Sequence, residues 1–109
     1  MERGLFPGAL EMMVLQALRR EPLHGYALAQ FIRRASGDLL QIEEGSLYPA
    51  LQRMLKAKWV SAAWGISGTN RRVRIYKITA GGRKQLEREV SSFERMIEGV
   101  ARVLRPSQT

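Results

Sequence analysis

Apolar side chains recur along this chain first at helical spacing, then at strand spacing, then at helical spacing again, and the switches mark its elements. Residues 8 to 20 predict a first helix, with Pro7 just before it and Pro22 closing it. Leu10, Val14, Ala17 and Leu18 share one side, while Met12, Met13 and Leu15 lie elsewhere around it. A helix apolar on several faces has to be covered on several faces. "HGYALAQFIRRASG" opens a second helix that offers Tyr26, Leu28, Ala29 and Ile32 to a core and ends at Gly37. "DLLQI" is then short enough for a single edge strand or an extended turn.

A third helix runs through "EEGSLYPALQRMLKAKW". At 100° per residue, Leu47, Ala50, Leu51, Met54 and Leu55 gather on one side. Ser46, Pro49, Gln52, Arg53 and Lys56 gather on the other, with Tyr48 at the margin. If Ser46 caps this helix, Pro49 falls in the first turn, where a backbone N–H has no intrahelical acceptor and a proline breaks no hydrogen bond. "WVSAAWGI" and "RRVRIYKIT" around the turn-rich "SGTN" predict a β-hairpin, one arm loaded with Arg71, Arg72, Arg74 and Lys77. Trp59 and Trp64 are expected to pack on that hairpin.

Thr79 can cap a last helix despite Gly81 and Gly82 in its first turn. In it Leu86, Val90, Phe93, Ile97, Val100 and Leu104 repeat every four or three positions, which is a heptad seam. Such a seam fits either a helix packed on its own domain or a dimer helix. The dimer is preferred because the first helix, through Met13 among others, also needs further cover, and two copies could supply it across a two-fold axis.

Composition sharpens this picture. A chain of 109 residues makes one small domain, and the absence of cysteine removes disulfides, thiolate metal sites and cysteine nucleophiles. The N-terminal apolar run is too short and interrupted for a leader or a membrane span, so a cytoplasmic protein is expected. A formal charge of +8 suits a polyanionic partner, nucleic acid first, although solubility alone would also use it. His24 is the only histidine and fits a helix start better than a phosphate contact, while Glu43 and Glu44 suit a helix dipole better than a catalytic pair. No nucleotide loop, metal cluster or nucleophile with its base stands out, so neither catalysis nor a cofactor nor a metal is expected.

Three helices followed by a basic hairpin form the plan of a winged helix-turn-helix, here mainly α with a small β-hairpin and one long C-terminal helix. In that plan the third helix enters a major groove of double-stranded DNA, and its Arg53 and Lys56 are placed to approach bases or phosphates. "HGYALAQ", "EEGSLYPALQRM" and "RRVRIYKITAGGRKQL", in this order, resemble the PadR family of transcriptional regulators, in its compact branch with a single C-terminal helix. The resemblance implies a homodimeric DNA-binding repressor, paired through the C-terminal helix and often released from DNA by a small ligand. It also implies DNA contacts at Ser46, Leu47, Tyr48, Pro49 and Arg53 on the recognition helix and at Asn70, Arg71 and Arg72 on the wing. The chain departs from the family pattern where "AKW" replaces the frequent "EGL", so Lys58 stands at a glycine position.

The expected division is a winged-helix domain at 1–79, a dimerisation helix at 80–105 carrying the seam Leu86 to Leu104, and a tail at 106–109. A small aromatic effector is expected between the first and last helices near Met13, Phe93 and Ile97. The alternative is a winged-helix module that binds protein, which would want exposed apolar anchors on the third helix where Gln, Arg, Lys and Ser stand instead.

Overall fold

A computed structural model describes residues 8–105; Pro7 and the tail at 106–109 lie outside the described residues. The elements run α1 (Ala9–Arg20), β1 (Leu23–His24), α2 (Gly25–Ala35), α3 (Glu44–Lys56), β2 (Val60–Ile66), β3 (Arg72–Ile78) and α4 (Ala80–Leu104). The fold is mainly helical, with a three-stranded antiparallel sheet in the order β1-β3-β2. Strand β1 adds to the expected hairpin by pairing Leu23 with Tyr76 and His24 with Ile75. Two residues are too few for any periodicity to announce a strand. The 38–42 segment forms no strand: it leaves α2 through a turn with Asp38 at φ 66° and keeps Leu39 exposed.

One core gathers the inner faces of all four helices and the sheet. Val14, Leu15, Leu28, Leu51 and Met54 are fully enclosed, and Val60, Tyr76 and Ile78 close it from the sheet. Each such side chain contributes about 1.5–3 kcal/mol by leaving water. Tyr26, expected at this core, is 63% exposed and points to the functional face.

Helix ends fix how the elements meet. Both α2 and α3 close in Schellman motifs: Asp38 N–H donates to the Arg33 carbonyl at 2.8 Å, and Trp59 N–H to the Met54 carbonyl at 3.0 Å. The left-handed turn is made by Gly37, followed by Asp38 at φ 66°, in the first case and by Lys58, at φ 65°, in the second. Replacing the family glycine by Lys58 therefore leaves α3 fully capped. This turn is also tied to the start of α4 across the hairpin: Thr79 Oγ1 donates to the Lys58 carbonyl at 2.7 Å and accepts from Gly82 N–H at 3.0 Å. Gly82 is needed there, since a Cβ would lie 2.1 Å from the Trp59 carbonyl oxygen.

The start of α3 differs from expectation. Glu43 is the cap residue, without a side-chain bond, and the N–H groups of Ser46 and Leu47 both reach the Glu43 carbonyl at 3.0 Å. Ser46 thus lies inside the helix, and Pro49 is an interior proline that leaves the Gly45 carbonyl without its i+4 donor. Gly45 is exposed, so water can donate to that carbonyl instead.

Candidate nucleic-acid interface

From Gly45 to Leu86 the chain carries no Asp or Glu, while Arg53, Lys56, Arg71, Arg72, Arg74 and Lys77 all lie in that stretch. It carries the exposed side of α3 and the wing. At the centre of the exposed side of α3 stand Pro49, Gln52 and Lys56, all open to solvent. Gln52 stands at the centre of this polar front, where a side-chain amide can meet an adenine edge. Leu47, expected among the DNA contacts, is only 1% exposed. Its angle on the helix points it into the core, so that expectation is corrected.

Tyr48 and Arg53 flank the front on opposite margins. Tyr48 leans over the start of α2, so closely that a Cβ on Gly25 would lie 2.6 Å from its hydroxyl oxygen. Burial there, reinforced by the nearby Glu44 carboxylate and by Tyr76, pushes the Tyr48 phenol above its ordinary range, which keeps it a hydrogen-bond donor. On the other margin Arg53 donates from Nε at 3.1 Å and from Nη2 at 2.7 Å to Oε2 of Glu11 on α1.

The start of α2 explains "HGY" residue by residue. His24 Nδ1 accepts the Ala27 N–H at 3.2 Å and so caps the helix, Gly25 makes room for Tyr48, and Tyr26 stands outward with its hydroxyl accepting from Gln30 at 3.1 Å. Because Nδ1 accepts, the imidazole proton of neutral His24 resides on Nε2.

Across from it, β2 and β3 project the wing. Its loop is closed by Ser67 N–H to the Arg71 carbonyl at 2.8 Å and turns at Asn70, in the left-handed region at φ 61°. Asn70 thus shapes the tip, and Arg71 and Arg72 leave it exposed. Trp64 does sit on the hairpin, yet 59% exposed, with the Arg72 guanidinium 4.4 Å and that of Arg74 5.7 Å from its ring centre. Wing and helices enclose an open groove of about 740 Å³, bordered by His24, Tyr26, Tyr48, Trp64, Arg72 and Arg74. The sequence points Tyr26 to the core and Trp64 to packing on the hairpin, so neither is announced at this groove. What distinguishes Trp64 is the basic residue opposite it, Arg74, once the hairpin register is known.

The far part of α4 exposes apolar side chains among charged ones. Leu86, expected at a dimer seam, is 2% exposed and belongs to the chain's own core, and Val90 packs against that core. Further along α4, Met96, Ile97, Val100, Val103 and Leu104 are exposed. Between the start of α1 and α4 lies a cavity of about 150 Å³, lined among others by Met12, Phe93 and Met96. Of the residues expected around an effector Phe93 is there, while the preceding residues on each helix stand in place of Met13 and Ile97. Among the described residues no helix is long and apolar enough to cross a membrane, and no three His, Asp or Glu side chains come together as metal ligands.

This geometry has relatives. A 37.1 kDa protein in a Streptomyces fradiae transposon is 42% identical over 86 residues, covering 79% of this chain. The chain spans only 23% of that curated relative's length. A PadR-like transcriptional regulator from Bacillus cereus superposes with a TM-score of 0.75 at 29% identity, over 91% of this chain and 94% of its own. Bacillus subtilis PadR, solved in complex with operator DNA, shares the fold with a TM-score of 0.66 at 22% identity, over 74% of this chain and 47% of its own. The sequence profile of the transcriptional regulator PadR-like family matches residues 14–88, from α1 through the wing and into α4, and the chain belongs to that family.

Proposed function

We propose that this chain is a dimeric repressor that binds a pseudo-palindromic operator in double-stranded DNA. In this reading α3 enters the major groove with Pro49, Gln52 and Lys56 foremost, and Arg71 and Arg72 of the wing contact phosphate alongside. The observation that carries it is the run of cations without an acid from Gly45 to Leu86, in which Tyr48 of α3 and the wing arginines border one groove. The fold shared with a regulator solved on its operator supports the same reading. A mobility-shift titration against random and promoter duplexes tests it. Retention of a sequence subset at physiological salt is expected, and equal, weak binding to every duplex would instead favour a protein-binding module.

The exposed apolar residues at the far end of α4 support pairing of two copies, which would set two recognition helices about 34 Å apart on successive major-groove faces. Light scattering should report a dimer; a monomer at micromolar concentration overturns this part. A small aromatic effector would enter beside Met12, Phe93 and Met96, which line the cavity together with Glu89 and Ser92. Calorimetry with phenolic acids and planar aromatic cations tests that part, and an absence of heat across the panel counts against it.

A further inference from the structure

We propose that Glu11 is a positioning residue for Arg53: by holding one edge of the guanidinium it aims the other edge at DNA. The inference rests on reading α3 as the recognition helix and adds to it a residue from a different helix. Arg53 lies at the margin of the α3 front nearest α1, its side chain 61% exposed, whereas the Glu11 side chain is 15% exposed. The carboxylate is thus sheltered and the guanidinium reaches out from it. Nε and Nη2 both donate to a single oxygen, Oε2, at 3.1 and 2.7 Å. A guanidinium is a rigid plane with five N–H donors, and two of them are engaged. Its Nη1 edge makes no hydrogen bond among the described residues. Together with the second N–H of Nη2, it makes the parallel pair of donors that fits two phosphate oxygens or the O6 and N7 of guanine.

An unattached arginine loses the freedom of a long side chain when it binds, and the ion pair removes that freedom beforehand. Two other roles would leave the same contact in a structure. Glu11 could be a strap that ties α1 to α3, or a negative charge that weakens binding to any polyanion. The three roles differ in the sign of their effect on binding. Glu11→Gln removes a negative charge, so general electrostatics makes binding tighter on every duplex. A lost strap lowers the melting temperature and leaves binding by the folded protein alone. Lost positioning weakens binding to the preferred duplex although the protein has become more basic.

The experiment is a double-mutant cycle of Glu11→Gln and Arg53→Gln in the full chain. Fluorescence anisotropy would follow a duplex that the wild-type protein selects from a random pool and a scrambled duplex of the same length. Glu11→Gln should weaken binding to the selected duplex by about fivefold, with a much smaller effect on the scrambled one, and should add nothing in the Arg53→Gln background. Equal tightening on both duplexes in both backgrounds overturns the proposal in favour of simple repulsion. Unchanged affinity with a lower melting temperature overturns it in favour of the strap. The wild-type control separates this from the reading beneath it: a protein that does not prefer its selected duplex refutes sequence-specific binding before any variant is compared, and positioning falls with it.

Discussion

Lys58 holds a left-handed backbone at φ 65° at the end of α3, a conformation that costs a side-chain-bearing residue about 1–2 kcal/mol. Lys58→Gly relieves that strain but gives the unfolded chain more freedom, so a net gain of roughly 0.5–1 kcal/mol in urea denaturation is expected. Gly82→Ala should act the other way. Its methyl group would meet the Trp59 carbonyl, and the forced shift of α4 should cost about 1–3 kcal/mol. Gly25→Ala separates stability from binding: alanine suits a helix, but its Cβ displaces the Tyr48 phenol. Little change in melting temperature with roughly tenfold weaker DNA binding is expected, and intact binding would show that Tyr48 does not need its place. Tyr48 also makes a pH-dependent contribution. With its phenol raised by burial, that contribution is complete below its ordinary value of 10.0 and is lost as pH rises past the folded value. Tyr48→Phe should therefore lose less stability than wild type on going to alkaline pH.

The four helices and the hairpin were legible because each is long enough for its apolar positions to define an angle or an alternation. The limits of that reading were physical. β1 exists only because β3 offers it a ladder of partners, and the true start of α3 rests on the Glu43 backbone rather than on a side chain, so Ser46 misled as a capping residue. Periodicity could rank Leu47 as core, while resemblance alone placed it on DNA, and burial decides for the core. The Glu11–Arg53 pair joins residues separated by 42 positions, which no local pattern contains. Within the wing, charge and its scaffold separate experimentally. Arg71→Gln or Arg72→Gln should each lower the salt dependence of log K by about 0.9, as one phosphate contact is lost. Trp64→Leu keeps every cation but frees Arg72 and Arg74 from the ring, so affinity should fall with the slope unchanged.

The whole molecule is elongated, 59 × 28 × 26 Å, and its radius of gyration of 15.7 Å exceeds the roughly 13 Å of a globular chain this size. The excess is α4, about 37 Å long at 1.5 Å per residue, of which only the first part touches the core. Val100→Asp with Leu104→Asp changes exposed residues only, so light scattering should report a monomer while the melting of the winged helix is little altered. Persistence of the dimer in that variant would place the pairing surface elsewhere. The cations stand on α3 and the wing and the exposed apolar residues on α4, so pairing through α4, as proposed, would have a regulatory consequence. Where copies are too few to stay paired, two must meet before one operator is filled, so occupancy climbs with the square of protein concentration. If the chain is the dimeric repressor proposed above, a modest change in synthesis would then become a large change in repression, with no ligand involved.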